Sequence, residues 1–202
     1  LGVRKPDYFL DAADEKTAKT IANVISKSDE IFQKENPDAL LLYGDTNSCL
    51  AVISAKRRKI PIFHFEAGNR CFDLRVPEEI NRKIVDHTSD INFVLTEHAR
   101  RYLIMEGIRP DKIFKTGSHM YEVIENNKGR IEQSKIIEEL KLKKDNYFLV
   151  SIHREENIDD TENFKSLMKV LENLWLKYKL KIIVTTHPRT RRKIEKEKIN
   201  IS

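Results

Sequence analysis

The sequence contains few of the residues that define disulfide-rich or membrane-spanning proteins. It has two cysteines, six glycines, six prolines and one tryptophan among 202 residues. No apolar run approaches the roughly 20 residues of a membrane-spanning helix. The opening stretch, LGVRKPDYFLDAADEKT, lacks the hydrophobic core of a signal peptide. We therefore expect a cytoplasmic protein that does not interact with membranes.

Cysteine and glycine patterns also limit the chemistry. Cys49 and Cys71 fit neither a C-x-x-C metal site nor a disulfide scaffold, so we expect reduced thiols. There is no H-E-x-x-H, no G-x-G-x-x-G and no Walker loop. We expect no metal and no cofactor, although a metal site remains a rival interpretation of the acidic and imidazole side chains. That rival would draw on His64, Glu66, Asp86, His87 and His153.

The charge is basic but mixed. Lysine and arginine number 37 against 32 acidic residues, which gives a net charge of +5 and a pI near 9.1. Such a balance can favour the binding of nucleic acid or of a phosphorylated small molecule. Basic and acidic residues alternate in KLKKD and RTRRKIEKEK, however, as is typical of a solvated surface. We therefore expect no nucleic-acid partner.

The hydrophobic pattern alternates between helical and extended periods, which predicts a doubly wound α/β fold. Beyond Gly117, the polar stretch ENNKGRIEQSK is expected to lead into a charged helix over 131–143, and a second α/β unit follows. The expected domains are 1–123, a linker and crossover helix over 124–145, and an incomplete domain over 146–202. The expected elements are helices over 14–35, 98–105 and 161–177, a helix from 46 or 47, and strands over 39–43, 60–65, 91–95 and 112–116, with further strands in YFLVSIHRE and KIIVTTHPRT.

Polar clusters follow several of these strands. In open α/β sheets, ligands bind at the carboxyl ends of the strands. Four clusters lie there: Gly44-Asp45-Thr46, His64 with Glu66, Gly117-Ser118-His119, and His153-Arg154. This shared position favours a functional site.

Each acidic candidate also has a structural interpretation. Asp45 can cap the following helix. His64 and Glu66 share one face if the strand continues, and can be a buried hydrogen-bonded pair. Pro77 suits the first position of a helix, with Glu78 in its first turn as a candidate second carboxylate facing Glu66. Two i,i+4 pairs are expected to be surface salt bridges: Glu79 with Lys83, and Arg82 with Asp86.

Several motifs, in order, make the chain resemble the non-hydrolysing UDP-N-acetylglucosamine 2-epimerase family. They are G-D-T (44–46), H-F-E-A-G-N-R (64–70), P-E-E-I-N-R (77–82), E-G-I (106–108), T-G-S (116–118) and H-R-E-E-N (153–157). The stretches GNRCFDLRVPEEINRK and KTGSHMYEV are further similar to the capsule and O-antigen branch. Members of that branch act on UDP-2-acetamido-2,6-dideoxy-L-hexoses and make UDP-N-acetyl-L-fucosamine.

The resemblance implies two Rossmann-like domains of the glycosyltransferase B type, here with the second incomplete, and a UDP-sugar in the cleft between them. It also implies a reaction without nicotinamide, in which a base removes the C2 proton, UDP leaves C1, and both return to a 2-acetamidoglycal intermediate. Inversion requires acid/base groups on opposite faces of the sugar.

The resemblance also implies roles for individual residues. Asp45, Glu66 and Glu78 match the family's acid/base carboxylates, and His153 matches a histidine near the diphosphate. His187 matches a histidine that some relatives use at a second, regulatory UDP-N-acetylglucosamine site, although Arg-Thr replaces their Asn-Pro. The candidate substrate-binding residues are Arg70, Arg82, Arg154 and His187.

The family's opening G-T-R-P-E segment and its later uridine-binding segments would lie outside these 202 residues. We therefore expect a fragment with weak nucleotide binding and little activity alone. It would pair as a homodimer or with a complementing second polypeptide. The alternatives are a retaining nucleotide-sugar glycosyltransferase and a non-catalytic split-gene remnant.

Overall fold

The computed structural model describes residues 4–152, 160–186, 191 and 194. The chain divides into two compact units between Val123 and Ile124. Strands and helices alternate along both units, and all their strand pairs are parallel. This arrangement agrees with the α/β fold that the hydrophobic pattern predicts.

The first unit contains a four-stranded parallel sheet in the order β1-β2-β3-β4. Strands that are consecutive in the sequence are neighbours in the sheet, and a helix lies in the connection between each two of them. The strands are β1 (Leu40–Tyr43), β2 (Ile62–Ala67), β3 (Ile91–Val94) and β4 (Ile113–Lys115), and the helices are α1 (Thr17–Glu35), α2 (Val52–Arg57), α3 (Pro77–Thr88) and α4 (Glu97–Met105), with 3-10 turns at Asn47–Ala51 and Pro110–Lys112.

The core of this unit lies between one face of the sheet and its helices. One cluster joins Ile62 of β2 to Val52 of α2 and Val85 of α3. A second cluster joins Val94 of β3 to Leu103 of α4. Consecutive right-handed crossovers that advance in one direction place their helices on the same face. Because the four strands are parallel, their carboxyl ends lie at one edge of the sheet.

Local sequence signals set several element ends. Pro77 occupies the first turn of α3, where its missing N–H costs no hydrogen bond. The Thr96 hydroxyl accepts a hydrogen bond from the Ala99 amide at 3.1 Å and caps α4. Helix α1 ends at Asn36, which adopts a left-handed conformation directly before Pro37. The position of Pro77 and the end of the helix expected over 14–35 were predicted from the sequence and are confirmed.

The structure differs from the prediction where the chain passes from the first unit into the second. Helix α5 covers Met120–Glu132 and includes most of ENNKGRIEQSK, whereas α6 is one turn, Ile136–Glu139. The predicted helix over 131–143 is wrong because the polar stretch consists mainly of helix-compatible residues, and a single exposed glycine costs only about 1 kcal/mol. The remaining described elements are β5 (Tyr147–Ile152), α7 (Thr161–Tyr178) and β6 (Lys181–Thr186), with β5 paired to β6.

Candidate active site

Two of the three candidate carboxylates, Asp45 and Glu66, lie at the carboxyl ends of adjacent strands. Asp45 follows β1 after Gly44, which adopts φ +83°. Glu66 lies near the end of β2, where the register with β3 shifts between Phe65 and Ala67, and it adopts φ +69°. The strand alternation therefore does not continue through Glu66. The condition under which His64 and Glu66 would share a face is not met.

The Glu66 carboxylate is half-buried and lies beside the end of β1. Its Oε1 accepts a hydrogen bond from Asn69 Nδ2 at 3.3 Å, and its Oε2 would lie 3.8 Å from a Cβ placed on Gly44. Burial first, and then the negative charge of Glu66, raises the pKa of the Tyr43 phenol. Glu66 thus retains acceptor capacity toward this edge of the sheet.

An open cavity of about 530 Å³ adjoins Tyr43. The Tyr43 ring meets the His119 ring edge to face at 5.1 Å, and its hydroxyl lies 3.3 Å from His119 Nε2. The cavity is lined by Tyr43, Phe65, Leu95, Thr116, Gly117, Ser118, His119 and Glu122. Its volume is in the range of small-molecule sites.

Asp45 is held by an arginine of α3 and does not cap the following helix. Its Oδ2 accepts a hydrogen bond from Arg82 Nε at 2.7 Å. The 3-10 turn begins after Thr46, which makes no side-chain cap. The Asn81 side chain donates to the Asp45 carbonyl at 2.9 Å. The capping interpretation of Asp45 is therefore wrong, and its ion pair with Arg82 fixes it relative to α3.

Glu79 is a buried acceptor rather than a surface charge. It is fully buried and accepts hydrogen bonds from the Cys71 amide at 3.0 Å, the Phe72 amide at 3.3 Å and Arg82 Nη1 at 3.1 Å. Burial alone would raise the pKa of this carboxyl, but these hydrogen bonds outweigh it and the pKa is lowered. Glu79 therefore anchors the loop after β2.

Asp86 is also buried and joins three segments. Its Oδ1 lies 2.9 Å from His64 Nδ1, its Oδ2 lies 2.8 Å from Arg70 Nη1, and the Gly68 amide donates to both oxygens at 3.3 and 3.2 Å. Arg70 also donates to Glu106 through Nε at 2.7 Å and Nη2 at 2.6 Å. Burial alone would lower the pKa of Arg70, but these two carboxylates raise it.

The predicted surface pairs of α3 are therefore wrong. Glu79, Arg82 and Asp86 occupy positions i, i+3 and i+7, which share one helical face. That face turns toward β1 and the loop over 68–72 instead of toward solvent. Spacing alone cannot distinguish the two arrangements, because an inward and an outward charged face have the same periodicity.

His64 links this network to the end of β1. The ring is 1% exposed, and its Nε2 lies 2.9 Å from the Gly44 carbonyl while its Nδ1 faces Asp86. The ring therefore bridges the Gly44 carbonyl and the Asp86 carboxylate. His64 thereby ties the carbonyl before Asp45 to α3.

The other predicted site residues have different outcomes. Glu78 is half-buried, and its carboxylate has no hydrogen bond or ion pair within the described part of the chain. Its expected position facing Glu66 stays a prediction. The Arg70 side chain is fully buried and engaged by acids, so its expected substrate contact also stays a prediction. His153, Arg154 and His187 lie outside the described residues.

Residues 4–152 and 160–186, with 191 and 194, lack two structural features. No group of three or more His, Cys, Asp or Glu side chains in this part could hold a metal ion. None of the helices described there combines the length and apolar character that a membrane span requires.

Sequence reasoning missed Tyr43 and assigned no role to His119 beyond a strand-end cluster. Tyr43 looked like the last apolar residue of β1, and only the sheet register shows that it lies beside Phe65 at the cavity. Its position immediately before G-D-T was the available signal, because side chains at the carboxyl ends of parallel strands face ligands.

The fold and the site define a Rossmann-like α/β protein with paired acidic side chains at the carboxyl edge of a parallel sheet. Residues 1–201 match the model of the family described as UDP-N-acetylglucosamine 2-epimerase. The chain belongs to this family.

Similar proteins span about twice the length of the chain. It is 39% identical to a Methanococcus maripaludis protein named UDP-N-acetylglucosamine 2-epimerase homolog, covering 98% of this chain and 55% of that one. A Rickettsia bellii UDP-N-acetylglucosamine 2-epimerase structure has 57% identity and a TM-score of 0.88, covering 96% of this chain and 51% of that one. The chain thus spans about half of these relatives.

A third relative was solved with ligands. The structure is described as Methanocaldococcus jannaschii UDP-GlcNAc 2-epimerase in complex with UDP-GlcNAc and UDP. It is 31% identical with a TM-score of 0.88, and covers 98% of this chain and 55% of that one. These similarities confirm the predicted α/β fold of the glycosyltransferase B kind.

Proposed function

We propose that this chain supplies the proton-transfer carboxylates of a 2-epimerase acting on a UDP-2-acetamido sugar. The observation that carries the proposal is the placement of Asp45 and Glu66 at adjacent strand ends, in the same chain segments as Tyr43 and Phe65, which line the cavity. Family membership and the UDP-GlcNAc complex of the Methanocaldococcus relative support a UDP-sugar ligand. Proton transfer at a sugar carbon needs carboxylates of this kind within hydrogen-bond reach of substrate.

The reaction breaks the C2–H bond by transfer of the proton to a base and breaks the bond from C1 to the UDP oxygen. The electrons of C2–H form the C1–C2 double bond of a 2-acetamidoglycal. A proton then returns to C2 on the opposite face while the UDP oxygen re-forms its bond to C1. Two acid/base groups are required, because one group returning the proton to its original face would regenerate the substrate.

Glu66 is suited to one of these roles because its described side-chain partners, the Asn69 amide and the Tyr43 phenol, are both neutral groups. Asp45 is paired with Arg82, which holds its carboxylate in place relative to α3. Glu78, unpaired within the described residues, is the third carboxylate. We assign these three as the acid/base group and His153 as a residue near the diphosphate.

The proposal has two candidate substrates. The family suggests UDP-N-acetylglucosamine, and the branch suggests a UDP-2-acetamido-2,6-dideoxy-L-hexose used for surface polysaccharide. Deuterium incorporation at C2 in D2O, followed by NMR, discriminates between them. We expect little exchange by the isolated chain. A chimera in which this chain replaces the matched region of the Rickettsia bellii relative is expected to exchange C2 of one substrate.

In that chimera, Glu66→Gln should slow C2 exchange by about 10²- to 10⁴-fold, the usual contribution of a positioned acid or base. Glu97→Gln is the matched control, because Glu97 forms surface ion pairs on α4. Unchanged exchange in Glu66→Gln would remove Glu66 from the mechanism. Acceptor-dependent sugar transfer without exchange would instead favour a glycosyltransferase.

A further inference from the structure

Three titratable side chains of the first unit form a connected row at the carboxyl edge of the sheet. Tyr43 is the last residue of β1, and its partner across the sheet is Phe65, which directly precedes Glu66. The Tyr43 phenol is a side-chain hydrogen-bond partner of the Glu66 carboxylate. The same phenol hydroxyl lies 3.3 Å from His119 Nε2. Tyr43 therefore links the Glu66 carboxylate to the His119 imidazole.

The His119 end of this row opens to the cavity. His119 is half-buried and follows β4, and its ring meets the Tyr43 ring edge to face at 5.1 Å. Among the described residues, the lining of the open cavity includes Tyr43 and His119 but not Glu66. The imidazole therefore has access to water through the cavity, on a route that reaches Glu66 by way of the phenol.

The proposed reaction leaves its two acid/base groups in the wrong protonation states. The group that removes the C2 proton ends with one proton too many, and the group on the opposite face ends with one too few. Both states must be restored before a second substrate molecule can be converted in the same direction. Glu66 is half-buried, and a sugar bound at this edge of the sheet would cover it further. A route between Glu66 and water would therefore support repeated turnover.

The geometry points to a proton relay in which Tyr43 and His119 restore the protonation state of Glu66 between turnovers, an inference that rests on the proposed function. Protonated Glu66 passes its proton to the phenol oxygen while the phenol passes its own to His119 Nε2. Glu66 becomes a carboxylate, the phenol stays neutral, and the imidazolium releases its Nδ1 proton to water. The ring regains its first tautomer by exchange with water.

The same row also works inward. When Glu66 is ionised, His119 Nε2–H can donate to the phenol oxygen while the phenol donates to the carboxylate, because a hydroxyl both donates and accepts. Imidazole suits the outer position, since it gains and loses protons near neutral pH. Tyr43 and His119 act through Glu66 in this relay and do not touch the reacting atoms of the sugar.

The coupling of the three side chains can be measured in the 202-residue chain without substrate. The imidazole 15N signals of His119, recorded by NMR at constant pH, should shift in Glu66→Gln. In a Tyr43→Phe background the same substitution should leave these signals unchanged, because the hydroxyl that joins the two groups is absent. An equal shift in both backgrounds, or no shift in either, would overturn the relay.

Turnover is measured in the chimera. His119→Ala should leave the rate of the first turnover unchanged, because Glu66 begins in equilibrium with water. Its steady-state kcat should fall about tenfold or more, since a proton transfer then limits each later turnover. The value of kcat/KM should be unchanged, because at low substrate concentration Glu66 has time to exchange its proton. Added imidazole should restore kcat.

His98→Ala is the matched control, because His98 is exposed on α4, and it should keep the kcat of the unsubstituted chimera. Equal slowing of the first and later turnovers in His119→Ala, without rescue by imidazole, would assign His119 a structural role and overturn the relay. An unchanged kcat in an active chimera would refute the relay alone. Absence of C2 exchange in the unsubstituted chimera would refute the proposed function and the relay together.

Discussion

Asp86 illustrates how a single residue organises the site without touching the cavity. Its carboxylate accepts hydrogen bonds from His64, Arg70 and the Gly68 amide. Those partners belong to β2 and the loop that follows it, whereas Asp86 belongs to α3. The residue therefore holds the end of β2, and with it Glu66, against the helix.

Replacing Asp86 by Asn should lower the free energy of unfolding by about 3–5 kcal/mol, the usual effect of breaking a buried ion pair. The amide removes the negative charge that balances Arg70 and directs an NH2 group toward donors. Urea titration followed by circular dichroism measures the change.

Asp111→Asn is the control for Asp86→Asn. Asp111 pairs with Arg109 at 2.8 Å, but its side chain is 60% exposed. Exposed pairs contribute about 1 kcal/mol or less. Equal decreases in the free energy of unfolding of Asp86→Asn and Asp111→Asn would contradict the structural role of Asp86.

At the scale of single residues, the sequence predicted the roles that depend on immediate neighbours. Pro77 begins α3 because proline acts on the backbone of the turn that follows it. The partners of Arg82 and Asp86 were predicted wrongly. Both side chains had an opposite charge at helical spacing, but burial against another segment selected a different partner.

The end of β2 approaches α4 so closely that only glycine fits at position 68. A Cβ there would lie 2.6 Å from the Ala99 carbonyl oxygen, which belongs to the backbone of α4 and cannot move independently. Gly68 also adopts φ +77°, a conformation that side chains disfavour. The contact fixes the strand end that carries Glu66 against α4.

Gly68→Ala should therefore destabilise the chain by about 3 kcal/mol, from overpacking together with left-handed backbone strain. Thermal unfolding followed by circular dichroism measures the decrease in the melting temperature. Gly107→Ala separates the two causes, because Gly107 has φ +90° but no atom within 4 Å of an added Cβ. Gly107→Ala should lower the free energy of unfolding only by the backbone strain, about 1–2 kcal/mol. If Gly68→Ala lowers the free energy of unfolding no more than Gly107→Ala does, the close packing of Gly68 against α4 is ruled out.

Element types were predicted well where apolar periodicity was strong, and poorly in the polar connection. Helix α5 begins at Met120, eleven residues before the predicted helix. Its described side chains include none that is fully buried. Without an apolar face packed on a core, the sequence contains no periodic signal that marks where the helix starts.

At the scale of the whole molecule, acid sensitivity follows from paired carboxylates. A hydrogen bond from Arg70 lowers the pKa of Glu106, and Lys56 and the Ile62 amide lower that of Asp90 against its burial. A carboxyl whose pKa is lower in the folded state stabilises the fold above its unfolded pKa. That contribution disappears as the pH falls through the folded value.

We therefore expect the free energy of unfolding to decrease as the pH falls below about 4.5, the ordinary range for Glu. Glu106→Gln should lower stability at pH 7 and reduce the difference between pH 7 and acid. Glu138→Gln, at an exposed position on α6, should leave that difference unchanged. Urea midpoints measured across this pH range compare the two variants. Identical pH profiles would refute the contribution of Glu106 to the loss of stability in acid.

The sequence by itself determined the order of strands and helices, the α/β class, the family, and the positions of Asp45 and Glu66 at strand ends. These features depend on periodicity, helix-terminating residues and short motifs, all of which are local. Only the tertiary structure decided that Glu79 and Asp86 are buried, that the strand is irregular at Glu66, and that Leu41 and Tyr43 of β1 are exposed. Burial depends on which segments meet in space, and contacts between residues distant in sequence have no local periodic signal.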